Sequence, residues 1–175
     1  GAMSYSFLKA KGIEIGNSLV EEDKLDLAKE ILLKGKDKII LPLDHIVTSD
    51  IEESLIVKNS KGQDIDSGFM GVDIGDKSIE KYSEYIKSGK TIFWNGPLGV
   101  FEKEEFAYGT NEIMKQIAKN KSCFSIIGGG DSAYAAKKAN LQDSFSFIST
   151  GGGASLKLIE KRGKLDIFEV LSKKE

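Results

Sequence analysis

The glycines of this chain are not dispersed: they cluster, and each cluster directly follows a short apolar run. Thr91-Ile92-Phe93-Trp94 runs into Asn95-Gly96-Pro97-Leu98-Gly99. Cys123-Phe124-Ser125-Ile126-Ile127 runs into Gly128-Gly129-Gly130-Asp131-Ser132. Phe145-Ser146-Phe147-Ile148 runs into Ser149-Thr150-Gly151-Gly152-Gly153. A fourth apolar run, Ile39-Ile40-Leu41-Pro42-Leu43-Asp44, precedes them. Short apolar runs bounded by glycine predict strands buried in a parallel sheet.

Helical patterns separate the runs. Glu21 to Leu33 sets Leu25, Ala28, Ile31 and Leu32 on one face, with its acidic residues early, where the helix dipole favours them. Ser78 to Ile86 carries Ile79, Tyr82 and Ile86, with Ser78 as the expected N-cap. Glu105 to Ala118 carries Phe106, Ile113, Met114 and Ile117. Asp131 to Ala139 and Ala154 to Ile159 complete the alternation. Strand and helix in turn predict an α/β fold with a parallel sheet and right-handed crossovers. Residues 46 to 58 depart from this pattern. Their two short β-rich runs, His45 to Thr48 and Leu55 to Val57, predict a small hairpin beside the main sheet.

In an open parallel α/β sheet, ligands bind at the C-terminal ends of the strands. Three glycine-rich loops are expected there. Glycine lets backbone approach a ligand, and a helix starting at once offers free N–H groups and the positive dipole end to phosphate. A tight βα connection is the plain alternative for any one loop, but three at one edge favour a phosphate platform. No G-x-x-x-x-G-K-[ST] string exists in the chain. Gly128 to Ala133 fits a loose G-x-G-x-x-A pattern, yet the next strand ends in Ile148-Ser149-Thr150 and offers no carboxylate for a ribose. Asp131 would repel a bare pyrophosphate. It suits either a helix N-cap or Mg²⁺ held on nucleotide phosphates, since Mg²⁺ takes one or two carboxylates plus phosphate oxygens.

Composition removes other classes. The chain has 175 residues with 40% hydrophobic and 30% charged, which fits about one soluble domain. A net charge of −2 gives no electrostatic argument for nucleic acid or an anionic membrane. Arg162 is the only arginine, so no cluster of bidentate phosphate forks exists. Cys123 is alone, which points to a reducing compartment and a cytoplasmic protein. No apolar run reaches the ~20 residues of a membrane span, and no signal-peptide pattern opens the chain. Residues 1–3 begin as a possible expression scar, Met3 reading equally as vector or native; residues 3–175 are taken as one partial nucleotide-binding domain.

Three strings then resemble signature segments of phosphoglycerate kinases, in the family's order: Trp94 to Glu102 (WNGPLGVFE), Ile126 to Ala133 (IIGGGDSA) and Ile148 to Leu156 (ISTGGGASL). Phe7 to Ala10, Gly16 to Asp23, Leu41 to Asp44 and Phe69 to Gly75 add to the resemblance, which runs from about Met3 to Leu171. It implies a Rossmann-like three-layer α/β/α domain binding Mg²⁺ with ADP or ATP, in a glycolytic kinase that moves a phosphoryl group between 1,3-bisphosphoglycerate and ADP. Glu102 would hydrogen-bond the ribose hydroxyls. Gly71 and Val72 would line the adenine pocket, and Asn95, Pro97 and Val100 its ribose and phosphate side. Asp131 would hold magnesium. Gly129, Gly130 and Ser132 would face the phosphates, and Gly130 with the Gly151 to Gly153 helix start, Gly153 included, the phosphoryl in flight. Such a reaction needs positioning and charge stabilisation rather than covalent chemistry.

The resemblance also implies departures. The family's N-terminal domain, with its basic 3-phosphoglycerate patch and catalytic arginine, has no counterpart here. The first two strands of the nucleotide domain are likewise absent, from the middle of a family sheet ordered 3-2-1-4-5-6. The isolated chain is therefore expected to be inactive, a folded remnant that binds nucleotide weakly or serves only as a binding module being the alternative. Two apolar edges are expected to be exposed. Either Ile39 to Leu43 pairs directly with Thr91 to Trp94, or the edges close by oligomerisation or strand swapping. Smaller departures, Asp76 for the usual proline, Lys157 for a glutamate, and Lys161-Arg162, lie off the phosphate loops.

Overall fold

The structure is a computed structural model that describes residues 1–53 and 56–162. Helix α1 (Met3–Ala10), which no sequence pattern announced, lies against helix α2 (Leu25–Gly35). Leu8 and Tyr5 of α1 join Ile15, Val47 and Ile65 in the smaller of two apolar clusters. Helix α2 buries only Ala28; Leu25 and Leu32 are half-buried, and Ile31, expected on the inner face, is exposed beside Leu27 and Leu33.

Strands β1 (His45–Thr48), β2 (Lys58–Asn59) and β3 (Met70–Ile74) form an antiparallel sheet in the order β2-β1-β3. The second arm beside β1 falls at Lys58–Asn59 rather than Leu55 to Val57, and Ser54 and Leu55 lie outside the described residues. A register shift between Ile46 and Val47 marks the β1–β3 pairing.

Helix α3 (Asp76–Ser88) starts at the end of β3. Its cap comes from outside the helix. The Asp44 carboxylate accepts the N–H of Lys77 at 3.1 Å and of Ser78 at 2.9 Å, with the Ser78 hydroxyl at 2.6 Å. Ser78, expected as the N-cap, therefore sits within the first turn and ties back to Asp44. Gly75 lies so close that a Cβ there would meet Asp44 Cγ at 2.4 Å.

The main sheet is parallel, in the order β4 (Thr91–Asn95), β5 (Phe124–Gly128), β6 (Phe147–Ser149). Helices α4 (Tyr108–Lys119), α5 (Gly130–Lys138) and α6 (Gly152–Glu160) follow the three strands in turn, which makes the α/β alternation. Alternate residues point to opposite faces of a strand. One face sets Trp94 and Ile127 against Ile113, Met114, Ile117, Ala135 and Ala136 in the larger cluster. The register aligns Phe93, Ile126 and Phe147 on the other face, where Phe147 and Phe124 are more than half exposed. Helix α6 buries none of its residues. No helix among the described residues is long and apolar enough to cross a membrane.

The run Ile39 to Leu43 is not a strand, and it does not pair with β4. A strand exists through its ladder, and among the described residues this run has no neighbouring strand to supply one. Its polar groups turn instead to side chains: Gln63 Nε2 donates to the Pro42 carbonyl at 2.6 Å, and Leu43 N–H donates to Ser78 Oγ at 2.8 Å. β4 stands at the edge of its sheet, with only β5 beside it among the described residues. The expected direct closure is thus not the one adopted.

Candidate functional site

Two cavities meet along the loop that follows β4. The larger, about 570 Å³, has walls from Gly71 and Val72 of β3, from Pro97 to Val100, and from Tyr5, Asn17 and Leu19, with Glu102 at its rim. The smaller, about 290 Å³, is a cradle of Asn95, Gly96, Gly128 to Ser132, Gly152 and Gly153. Every candidate residue of the sequence except Gly151 lies on one cavity or the other. The first is mostly apolar and of nucleoside size; the second is mostly backbone.

The loop between them is pinned at several points. Ser132 Oγ accepts the Gly96 N–H at 2.7 Å, and Trp94 Nε1 donates to the Gly96 carbonyl at 2.7 Å. Gly96 has φ +94°, a conformation that costs glycine nothing. Thr110 Oγ1, in the first turn of α4 and fully buried, accepts the N–H of Leu98 at 3.0 Å and of Gly99 at 3.2 Å. Val100 N–H donates to the Val72 carbonyl at 2.8 Å and joins the two walls of the larger cavity.

Beneath that cavity lies Asp73, 1% exposed. Its carboxylate accepts the Gly109 N–H at 2.6 Å and its own neighbour Ile74 N–H at 2.9 Å. Burial pushes the carboxyl up to about 6, and the two N–H donors pull against that rise. A side chain at Gly99 or at Gly109 would strike Asp73 Oδ1 at 2.5 Å, so the wall closes on the carboxylate only because both positions are glycine.

The cradle is formed by the starts of α5 and α6. The first intrahelical bond of α5 is Ala133 N–H to the Gly129 carbonyl, which leaves the amides of Gly130, Asp131 and Ser132 at the positive helix end, while the Gly129 N–H donates to the Ser149 carbonyl at 2.8 Å. Gly129, at φ +98°, opens the turn. Gly152 packs so tightly that a Cβ would meet Gly129 Cα at 2.8 Å and Asn95 Oδ1 at 2.9 Å. Asp131 is exposed at the cradle and, among the described residues, is the one ionisable side chain that lines it. Ser132 is fully buried, its oxygen already accepting from Gly96.

Tyr5, Asn17 and Leu19 line the larger cavity although the sequence singled out none of them. Asn17 and Leu19 lie in the Gly16 to Asp23 string that adds to the resemblance and Tyr5 lies just before Phe7 to Ala10, but nothing in their spacing placed them near β3. Thr110 and Asp73 left a fainter signal. Thr110 falls on the apolar face set by Phe106, Ile113, Met114 and Ile117, and Asp73 is a charge inside the strand Met70–Ile74. A polar residue in an inward position is normally hydrogen-bonded there.

With this geometry in place, known proteins bear on it. The family model described as phosphoglycerate kinase matches residues 1–162. A phosphoglycerate kinase of Streptococcus uberis is 52% identical over 160 residues, 91% of this chain and 40% of the relative. One of Streptococcus thermophilus is 54% identical over the same span. The structure of phosphoglycerate kinase from Coxiella burnetii aligns at TM-score 0.91 and 37% identity, over 99% of this chain and 45% of that one. That from Pyrococcus horikoshii aligns at TM-score 0.80 and 32% identity, over 96% and 42%. The chain thus spans about 40% of the length of the curated relatives it matches.

Proposed function

Because the chain belongs to the phosphoglycerate kinase family, we propose that it supplies the Mg-nucleotide site of a glycolytic, cytoplasmic transfer of phosphoryl between 1,3-bisphosphoglycerate and ADP. The observation that carries this reading is the junction of an apolar nucleoside-sized cavity with a backbone-lined phosphate cradle along one pinned loop. The base lies against Gly71 and Val72, and Glu102 at the rim takes the ribose hydroxyls. Asn95, Pro97 and Val100 lead the phosphates into the cradle, where the turn at Gly129 brings them against the amides of Gly130 and Ser132. Gly130 and Gly153 face the transferred group.

The residues present fit magnesium in one way only. The described residues contain no group of three His, Cys, Asp or Glu side chains able to hold a metal. A single carboxylate, Asp131, faces the cradle, and Mg²⁺ accepts that arrangement when phosphate oxygens complete its shell. The ion supplies charge neutralisation for the phosphates and so relieves their repulsion by Asp131.

No lysine or arginine lines the cradle among the described residues. That favours a chain that binds nucleotide without turning it over, 3-phosphoglycerate and the catalytic arginine belonging to an N-terminal domain. Titration calorimetry with Mg-ADP, beside a coupled kinase assay, tests both parts. Binding without turnover is expected. Turnover by this chain sinks the inactive reading, and no heat with Mg-ADP sinks the nucleotide reading. The open edge of β4 further supports association with a second copy, by edge pairing or strand exchange.

A further inference from the structure

A circuit of contacts runs round the larger cavity, and one side chain closes it. On one side β1 pairs with β3, Val47 opposite Gly71 and Thr48 opposite Met70. β3 in turn holds the loop after β4, through the Val100 N–H and the Val72 carbonyl at 2.8 Å. Lys103 completes the circuit. Its backbone is fixed twice: its N–H donates to the Val100 carbonyl at 3.1 Å, and its carbonyl accepts the Phe106 N–H at 3.1 Å. Its ammonium reaches to the turn that follows β1, 52 residues back along the chain. There it donates to the carbonyl of Ile51 and to that of Glu52, the latter at 2.6 Å. The side chain of Lys103 is half-buried, and Ile51 lines the cavity.

We propose that Lys103 is a positioning residue of the nucleotide site: its ammonium holds Ile51 against the nucleoside, so that this wall is in place before the ligand arrives. The inference rests on the nucleotide reading above. Ile51 sits in a turn just beyond the end of β1. That turn closes on itself through the Glu53 N–H and Asp50 Oδ1 at 3.0 Å, which shapes it without tying it to the loop opposite. The β1–β3 and β3–Val100 links are backbone to backbone. The Lys103 link alone in the circuit depends on a side chain, and so on the residue type at that position. An ammonium carries three donors, so it can serve both carbonyls at once, and a charged donor makes the stronger bond. A wall fixed in advance spares the ligand the cost of ordering it.

The test is a double-mutant cycle read by calorimetry with Mg-ADP, on the wild-type chain, K103M, I51A and the double variant. K103M keeps most of the apolar stem and removes the ammonium. It is expected to bind Mg-ADP about 3- to 10-fold more weakly, the range for ordering one side chain on binding. In the I51A background, where the wall side chain is gone, the same change is expected to cost less than about 2-fold, because the two residues act through one contact. Equal Mg-ADP affinity of K103M and wild type overturns the inference alone. So does a K103M penalty of the same size with and without the Ile51 side chain, which marks a general loss of structure rather than a misplaced wall. A wild-type chain that does not bind Mg-ADP overturns the inference together with the nucleotide reading.

Discussion

The hydroxyl oxygen of Ser132 accepts the backbone N–H of Gly96 at 2.7 Å, joining the first turn of α5 to the loop after β4. Two glycine loops separated by a strand and a helix are thereby held at one spacing. Replacing Ser132 with alanine leaves a half-buried N–H without its acceptor, at a cost of about 1–3 kcal/mol. S132A is expected to unfold at lower urea concentration and to lose at least 3-fold in Mg-ADP affinity. Trp94 is the only tryptophan and its Nε1 donates to the Gly96 carbonyl, so its fluorescence should report the loosened loop. Unchanged fluorescence and unchanged affinity would contradict the link.

Thr110 invites a finer dissection, because its Oγ1 accepts two N–H groups at once. T110S keeps the oxygen, and T110V keeps the shape without it. T110V is expected to lose about 2 kcal/mol of stability and T110S less than half of that. Amide hydrogen exchange at Leu98 and Gly99 should accelerate in T110V and stay near wild type in T110S. If exchange at those two amides is equal in both variants, Thr110 does not hold the wall.

Two buried titrating groups should oppose each other as pH changes. Burial pushes His45 down to about 4, from an unfolded value of 6.5, and its ring nitrogens have no partner among the described residues. The unfolded chain therefore binds the proton more tightly, and His45 costs stability as pH falls from 6.5 toward 4. Asp73 is pushed up to about 6 from 3.8, so there the folded chain binds the proton more tightly, and stability is lost as pH rises through that window. Each contribution amounts to about 3 kcal/mol over its full range, by the factor of about 1.4 kcal/mol per unit. Between pH 4 and 6 the two nearly cancel. Urea titrations should show H45F gaining on wild type by about 1.4 kcal/mol per unit on acidification, and D73N losing on wild type by a similar amount. Parallel pH profiles for the three chains would refute both assignments.

The open edge of β4 predicts association. Sedimentation at rising concentration is expected to show dimers or larger species, and T91K, at the exposed start of that strand, is expected to shift the population toward monomer. A wild-type chain that stays monomeric across the range would show that the edge is covered in some other way.

The sequence made the parallel sheet and its glycine loops legible because both are local: an apolar run, then glycine, then a helix. The same reasoning misread Ile39 to Leu43, whose composition suits a strand but whose ladder depends on neighbours elsewhere. It also missed the cap of α3. Ser78 has the right type and place, yet Asp44, 34 residues away, takes the role. The larger cavity was half legible. Gly71, Val72 and the Pro97 to Val100 wall lie in recognisable strings. Tyr5 and Thr110 reach the same place through tertiary packing that no spacing encodes.

The contact of Gly129 with Gly152 has a mechanical consequence. Where main chain rests on main chain, no rotamer can yield, so the starts of α5 and α6 must shift together or not at all. The cradle is then the stiff part of the molecule. Compliance is left to the wall from Pro97 to Val100, which hangs on hydrogen bonds to Thr110 and to Val72. A ligand that arrives at the cradle meets a fixed mould, while its other end meets a surface that can give.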